Sequence, residues 1–223
     1  MPECKIALVP VTVFQQNCSL IWDTATMNAA VIDPGGEPGK ILDGIARLGL
    51  KVEVILLTHG HLDHAGGAKA LKGELDAARA DENLPQIPIL GPDIRDQFLL
   101  DGIEEAQKQF GMSGMRNVTP DRYLTEGETV QAAGLTFDVL HVPGHTPGHL
   151  VFFSPVARVA FSGDTVFKGS VGRTDFPYGD GALLIEGIKE KLLPLGDDVT
   201  FIPGHGPAST LGAERGDNPF LQQ

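Results

Sequence analysis

Four side chains that can bind a metal ion stand close together in the segment 58–64, Thr-His-Gly-His-Leu-Asp-His. They are His59, His61, Asp63 and His64. The apolar run at 52–57 directly precedes this segment and predicts a buried strand. Open α/β sheets bind their ligands beyond the carboxyl ends of strands, so the segment lies where a metal site can form. His59 and His61 can reach one ion, while Asp63 and His64, beyond the bend, can face a second.

The same order of strand, turn and ligand recurs along the chain. Apolar strands predicted at 135–142, 156–161 and 199–202 each end at a turn that contains glycine. Within about three residues of these turns stand further candidate ligands, as active sites at strand ends require. They are His145, Asp164 and His205. Of the seven histidines only His141 and His149 fall outside the pattern, and each is either a hydrogen-bonded strand histidine or a partner of a ligand.

The seven candidate ligands offer nitrogen and oxygen but no thiolate. A structural zinc site is closed at four ligands and usually contains cysteine, which disfavours that class. Seven ligands suit two ions if one carboxylate bridges them. We predict His59, His61 and His145 on the first metal, Asp63, His64 and His205 on the second, and Asp164 between them.

Paired metal ions lower the pKa of bound water toward neutrality. The expected reaction is therefore hydrolysis, in which Asp63 acts together with a metal-bound hydroxide on a polarised carbonyl or phosphoryl centre. Ligating imidazoles normally hand their second N–H to an acceptor, and the candidates for contact with them are Thr58, Thr146 and His149. No Ser, His and Asp arrangement at a nucleophile elbow is visible, so a covalent acyl-enzyme is not needed.

The totals describe an ordinary globular chain of 223 residues, 42% hydrophobic and 21% charged. We predict one domain, 1–223, built of two half-domains that share a core. The formal charge of −12 disfavours nucleic acid and anionic membranes as partners. Cys4 and Cys18 are the only cysteines, and neither a signal peptide nor a membrane span is visible. A cytoplasmic protein with reduced thiols is expected, and its oligomeric state is left open.

Hydrophobic periodicity and turn residues predict the remaining elements. Strands are expected at 6–13, 18–22, 29–32, 87–90 and 150–153. Helices are expected at 40–49, 68–80 and 183–193, with a broken helix at 93–111 and a loop at 81–85.

Together the motifs resemble those of the metallo-β-lactamase superfamily. They are Thr-His-Gly-His-Leu-Asp-His at 58–64, Pro-Gly-His-Thr-Pro-Gly-His at 143–149, Gly-Asp-Thr at 163–165 and Pro-Gly-His-Gly at 203–206. Within the superfamily the chain is similar to the short bacterial glyoxalase II-like (hydroxyacylglutathione hydrolase-like) proteins. The resemblance implies an α/β (α+β) fold, a four-layer αββα sandwich of two similar halves with the metals at one edge.

The resemblance also implies a reaction and its cofactors. Two divalent metal ions would be bound; zinc, iron and manganese all occur in the family, and we expect Zn²⁺ here. The implied activity is that of a thioesterase, which hydrolyses S-lactoylglutathione or a related acyl-thiol to D-lactate and glutathione. A thiolate is a good leaving group, so no strong general acid is required.

In one respect the chain departs from full-length glyoxalase II enzymes. They carry a C-terminal helical domain that supplies much of the glutathione pocket, whereas this chain ends about eighteen residues after His205. In the loop 172–176, Arg173 is the candidate for holding the glycine carboxylate of glutathione. A surface salt bridge is the equal alternative for Arg173.

Two other functions remain open at this point. A glutathione persulfide (sulfur) dioxygenase with mononuclear iron belongs to the same superfamily and has a similar loop at 172–175. A non-catalytic metal-binding protein is disfavoured because all seven ligands are present. Flavodiiron members place Glu where His61 stands, which argues against that class. Lactonase and β-lactamase activities are possible as minor reactions.

Overall fold

Two large β-sheets form the centre of the computed structural model, which describes residues 3–80 and 83–222. The first sheet has the strand order β1-β2-β3-β4-β5, from Cys4–Val11, Gln16–Asp23, Asn28–Ile32, Lys51–Leu56 and Ile89–Leu90. The second has the order β13-β12-β9-β8-β7-β6. Its strands are β6 Thr129–Ala132, β7 Leu135–His141, β8 Leu150–Ser154, β9 Val159–Gly163, β12 Thr200–Pro203 and β13 Ser209–Thr210. A separate hairpin pairs β10, Val166–Phe167, with β11, Ser170–Val171.

Seven α-helices flank these sheets in the described part of the chain. They are α1 Pro38–Leu48, α2 Leu62–Ala65, α3 Ala68–Ala80, α4 Gln97–Asp101, α5 Ile103–Gln109, α6 Gly181–Gly187 and α7 Leu211–Asp217. A 3₁₀ turn at Ile94–Asp96 leads into α4, and a π-helical turn at Ile188–Leu192 followed by a 3₁₀ turn at Leu193–Leu195 continues α6. Within the described residues, no helix has the length and apolar character needed to cross a bilayer.

Three hydrophobic clusters hold the layers together, because successive residues of a strand point to opposite faces of its sheet. In β2, Leu20 packs outward with α1 and α3, whereas Ile21 packs inward against the second sheet. In β8, Phe152 is fully buried between the sheets, and Val151 packs outward with α6 and α7. The order is therefore helices, sheet, sheet, helices, and the expected four-layer αββα sandwich is confirmed.

The strand directions bring the ligand-bearing turns to one edge of the sandwich. β4 runs parallel to β3 and β5, and β12 runs parallel to β9. β7 and β9 are both antiparallel to β8, so these two strands point the same way. Backbone hydrogen bonds join the halves at this edge: Leu150 N donates to Thr58 O at 2.7 Å, and Asn17 N donates to Gly204 O at 2.7 Å.

Several element boundaries differ from those expected. The strand predicted at 156–161 begins only at Val159, because a turn with Arg158 at φ 54° precedes it. The broken helix expected at 93–111 is a 3₁₀ turn and two short helices, and the helix expected at 183–193 begins at Gly181 and changes to a π turn at Ile188. The elements that were not predicted are β6, β10, β11, β13, α2 and α7. Of the loop expected at 81–85, residues 81 and 82 lie outside the described residues.

Candidate metal centre

The segment that follows β4 brings His59 and His61 against His145, which follows β7. His59 Nε2 lies 3.0 Å from His61 Nδ1, and His145 Nε2 lies 2.9 Å from the same nitrogen. His59 is fully buried and His145 nearly so. Ligand atoms of the three residues thus converge on a common point, in a group able to hold a metal ion.

A second group of the same kind consists of Asp63, His64 and His205. Asp63 and His64 lie on α2, which is a single turn of helix, and His205 follows β12. Asp63 Oδ2 lies 3.3 Å from His205 Nε2. His64 is completely buried, whereas Asp63 and His205 are partly exposed, so this group borders solvent.

Asp164 lies between the two groups. Its Oδ2 atom is 3.6 Å from His145 Nε2 on one side and 3.6 Å from His205 Nε2 on the other. Its Oδ1 atom is 3.4 Å from His64 Nε2. The structure therefore brings together all seven predicted ligands, with this carboxylate in the central position.

In each candidate ligand ring, the nitrogen that faces away from the centre contacts a fixed polar atom. His145 Nδ1 donates to the carbonyl oxygen of Arg173 at 2.8 Å, and His205 Nδ1 donates to that of Phe14 at 3.2 Å. Because a carbonyl only accepts, these nitrogens carry the ring proton, and each Nε2 keeps a lone pair aimed at the centre. His61 is turned the other way, since its Nε2 contacts the Tyr178 hydroxyl at 2.9 Å.

Asp33, which the sequence analysis did not include among the site residues, orients two of these rings. It ends β3 with φ 53°, and its Oδ2 atom accepts from Thr58 Oγ1 at 2.6 Å and from His64 Nδ1 at 2.9 Å. Thr58 Oγ1 in turn lies 3.0 Å from His59 Nδ1. Because the Thr58 hydroxyl donates its proton to Asp33, it can only accept a hydrogen bond from His59. His59 therefore carries its ring proton on Nδ1, and its Nε2 atom is unprotonated. The clue in the sequence was an Asp at the end of the strand that pairs with β4.

The other residues expected to contact the ligating imidazoles lie in different places. Thr146 Oγ1 donates to Asp96 Oδ2 at 2.7 Å and not to an imidazole, which corrects that prediction. His149 accepts from the backbone N–H of Asp164 at 3.0 Å, and its ring stacks on His59 with centroids 4.6 Å apart. His141 lies half-buried, with Nε2 2.8 Å from the carbonyl oxygen of Pro147.

Burial and charge set the protonation of the cluster. Burial and the neighbouring imidazoles hold the pKa of His59 well below its usual value and lower that of His61 to about 3. Burial opposes a charge on His64, but Asp164 and Asp33 raise its pKa well above the usual value. Burial acts against Asp164 too, yet His64 and His145 lower its pKa. The site thus combines neutral imidazoles at His59 and His61 with carboxylates whose field attracts positive charge, which in His64 is a ring proton.

These properties fit a metal centre. In the described part of the chain, His64 Nε2 and Asp164 Oδ1 are buried side-chain atoms with no hydrogen-bond partner, although burying such atoms unpaired is costly. His59 Nε2 and His145 Nε2 lie 3.0 and 2.9 Å from His61 Nδ1. One ring proton cannot satisfy all three nitrogens, and the lone pairs that remain repel unless a cation lies among them. Imidazole and carboxylate are also the donors that zinc and iron accept.

Space at the centre is tight enough to demand glycine. A Cβ added at Gly204 would lie 2.2 Å from Asp164 Oδ1 and 2.4 Å from His64 Cε1. The Pro-Gly-His sequence after β12 therefore lets the backbone approach the carboxylate between the two groups.

Aromatic rings border the first group of ligands. Phe176 lies against the rings of both His61 and His145, and Tyr178 stacks on Phe176 with centroids 5.3 Å apart. Arg173 is exposed, pairs with Asp175 at 2.9 Å and places its guanidinium 4.8 Å from the Phe176 ring centroid. Arg173 is thus in a surface salt bridge beside the site, and its backbone carbonyl fixes His145.

The sequence model of the metallo-β-lactamase superfamily matches residues 11–205, a span that contains all seven candidate ligands. The chain belongs to the metallo-β-lactamase superfamily. The superfamily assignment agrees with the two-sheet architecture and with the position of the ligands at one edge of it.

Relatives within the superfamily match nearly the whole chain. The hydroxyacylglutathione hydrolase GloC of Haemophilus influenzae is 47% identical over 218 residues, which cover 97% of this chain and 98% of that protein. The BLEG-1 B3 metallo-β-lactamase superposes with a TM-score of 0.86 and 31% identity, covering 98% of this chain and 100% of that one. TTHA1623 in a di-iron-bound form superposes with a TM-score of 0.83 and 38% identity, covering 96% of this chain and 100% of that one.

Replacing Tyr178 with phenylalanine removes the hydroxyl beside His61 Nε2 while keeping the ring. We expect metal binding to weaken by about 10-fold, the lower end of the effect typical of groups that orient a ligating histidine. Competition with a chromogenic chelator measures this. Tyr123→Phe, at the chain's only other tyrosine, is the matched control and should bind metal like the wild type. Equal affinities for all three proteins would show that the Tyr178 hydroxyl does not orient His61.

Proposed function

We propose that this chain is a metal-dependent thioesterase that hydrolyses S-lactoylglutathione or a related acyl-thiol. The observation that carries the proposal is the direction of the ring nitrogens: each predicted histidine ligand has one nitrogen on a fixed polar partner and the other aimed at the centre. The substrate class is supported by the relative named hydroxyacylglutathione hydrolase, which is 47% identical over almost the full length of both chains.

The proposed cofactors are two divalent metal ions, with zinc favoured. His59, His61 and His145 would hold the first ion, Asp63, His64 and His205 the second, and Asp164 would contact both. Two ions at such a site lower the pKa of water toward neutrality and polarise the carbonyl of the substrate. A di-iron-bound form is known for the similar protein TTHA1623, so iron is the competing choice.

The protein's own groups then act on the thioester. Burial opposes ionisation of Asp63, but the hydrogen bond from His205 keeps its pKa below the usual value, so the carboxylate is ionised at neutral pH. Asp63 is thus able to orient the attacking water and take its proton. Attack on the carbonyl carbon breaks the C–S bond, and the glutathione thiolate leaves without needing a strong acid. D-Lactate and glutathione are the products.

Recognition of the glutathione part is assigned to the loop beside the aromatic rings. Arg173 is the proposed partner of the glycine carboxylate, which would replace its ion pair with Asp175. Phe176 and Tyr178 provide an apolar wall next to His61. We propose that residues 1–223 act as one domain of two similar halves in this reaction.

The proposed reaction belongs to a reducing compartment. Glutathione keeps thiols reduced in the cytosol, and Cys4 and Cys18 are both free. We therefore place the protein in the cytoplasm. The excess of acidic residues in this chain disfavours nucleic acid and anionic membranes as partners. The proposed partner is a small-molecule thioester.

One set of assays on the purified protein tests the proposal. S-Lactoylglutathione is offered beside other acyl thioesters, a lactone, a β-lactam and glutathione persulfide, and metal content is measured on the same sample. We expect hydrolysis of the thioesters, two metal ions per chain and loss of turnover after exhaustive chelation. A single iron with oxygen uptake on persulfide would overturn the proposal in favour of the dioxygenase, and turnover that survives chelation would overturn any metal-dependent reaction.

A further inference from the structure

A short turn from outside the ligand motifs lies between the two loops that carry the first group of ligands. Residues 93–96 lead from β5 into α4. Asp96, the last residue of the 3₁₀ turn, is completely buried, although a buried carboxylate is costly unless it is fully hydrogen-bonded. The proposed reaction gives this carboxylate no part in the chemistry.

Asp96 accepts three hydrogen bonds, and they come from both loops. Its Oδ2 atom accepts from the backbone N–H of Gly60 at 2.8 Å and from Thr146 Oγ1 at 2.7 Å. Its Oδ1 atom accepts from the backbone N–H of Gly148 at 2.5 Å. Gly60 stands between His59 and His61, and Thr146 directly follows His145. One carboxylate therefore connects the loops that supply all three ligands of the first group.

The glycines in these loops provide the space that the turn occupies. A Cβ added at Gly60 would lie 2.8 Å from Leu99 Cβ and 2.9 Å from the carbonyl oxygen of Asp96. A Cβ added at Gly148 would lie 2.7 Å from Asp96 N and 2.8 Å from Asp96 Cγ. Any larger residue at either position would displace the turn. Both loops therefore need glycine in order to pack against the turn, whether or not the hydrogen bonds form.

We propose that Asp96 is a positioning residue for the first metal site: it holds the His59–His61 loop and the His145 loop at the separation that binding one ion requires. The proposal rests on the metal-dependent function proposed above and deepens it. The hydrogen bonds of the Asp96 carboxylate go to Gly60, Thr146 and Gly148, and none goes to a ligand ring. Its effect is selective, because none of these three hydrogen bonds involves a residue of the group Asp63, His64 and His205.

Asp96→Asn is the direct test, with Asp93→Asn as its matched control. Asparagine has one acceptor oxygen, so its amide would face a backbone N–H, that of Gly60 or that of Gly148, which now donates to Asp96. That hydrogen bond would be lost and a buried N–H left unpaired. Asp93 is also buried, but its carboxylate caps the turn locally by accepting from Arg95 N at 3.0 Å. Asparagine caps as well as aspartate does, so the control should behave like the wild type.

The measurement is calorimetric titration of the metal-depleted proteins with Zn²⁺ at pH 8, supported by the absorption spectrum after Co²⁺ substitution. Burial raises the pKa of Asp96 to about 6, so the carboxylate is ionised at this pH. We expect Asp96→Asn to weaken one of two binding events by about 10- to 100-fold and to leave the other unchanged. The Co²⁺ band of the affected site should shift, while the melting temperature of the metal-depleted protein indicates whether the fold is kept.

A second pair of variants keeps the test decisive if Asp96→Asn does not fold. Thr146→Val removes one donor to Asp96 at constant shape, and Thr146→Ser keeps the hydroxyl. We expect Thr146→Val to weaken the same binding event, less than Asp96→Asn does, and Thr146→Ser to restore it.

The outcomes separate this inference from the proposed function. Two unchanged binding events in Asp96→Asn and Thr146→Val would overturn the positioning role and leave the thioesterase proposal standing. Equal weakening of both events would also overturn it, because a merely structural role would affect both groups. A wild-type protein that binds two Zn²⁺ ions but cleaves no thioester would overturn the proposed function alone.

Discussion

Asp164→Asn is expected to lower kcat/KM for thioester hydrolysis by about 1000-fold, which corresponds to the loss of about 4 kcal/mol of transition-state stabilisation. Asparagine keeps the shape of the side chain but replaces a negative oxygen by an amide N–H₂ group. Asp164 is the one candidate ligand whose carboxylate faces His145, His205 and His64 at once, at 3.6, 3.6 and 3.4 Å. The substitution therefore weakens both groups of ligands together.

The size of this effect follows from burial. Asp164 is only 8% exposed, so the loss of its charge is poorly compensated by water. The amide nitrogen would also replace one of the two carboxylate oxygens that face the imidazoles. An amide N–H₂ group only donates hydrogen bonds, so that position would no longer offer a metal ligand. We expect the affinities for both metal ions to fall in the same variant.

Steady-state kinetics and metal content after dialysis measure the effect. Asp43→Asn makes the same chemical change at an exposed position on α1 and serves as the control. A variant at Asp164 that keeps two metal ions and a kcat/KM close to that of the Asp43 control would contradict the central position assigned to this carboxylate.

The sequence was sufficient to predict the architecture and the convergence of the ligands. Apolar strands that end at glycine turns place their next polar residues at a sheet edge, and this local rule applied at His59, His145, Asp164 and His205 alike. The same rule explains why boundaries were less accurate. The rule locates the end of a strand but not its start. The start of β9 at Val159 depends on the left-handed backbone of Arg158, and residue type alone does not predict that conformation.

The groups that orient the ligands were harder to predict, because their partners are distant in the chain. Asp96 lies 36 residues from Gly60 and 50 from Thr146, and only the packing of the turn 93–96 against both loops brings them together. Asp33 lies 31 residues from His64, and Tyr178 lies 117 residues from His61. Thr146 was assigned to an imidazole for the same reason, since its neighbour His145 was visible and Asp96 was not.

Asp63→Ala is expected to have a different signature from Asp164→Asn, because Asp63 belongs to one group only. Its Oδ2 atom lies 3.3 Å from His205 Nε2, and its group of candidate ligands contains none of His59, His61 and His145. Alanine removes a ligand and the proposed proton acceptor from the second group. We expect one metal ion to remain, held by the first group, and kcat to fall by about 10²- to 10⁴-fold, the range for loss of a general base.

Metal content and kcat, measured beside Asp101→Ala as the exposed control at the end of α4, distinguish the possible roles. Retention of both ions with a low kcat would assign Asp63 to proton transfer alone, and loss of both ions would mean that the two groups cannot be filled separately. A non-catalytic metal-binding protein would show no turnover to lose. We expect Asp63→Ala to lose one metal ion and Asp164→Asn to bind both metal ions more weakly. Only a shared central carboxylate explains this combination, because both groups of ligands then depend on Asp164 and only one depends on Asp63.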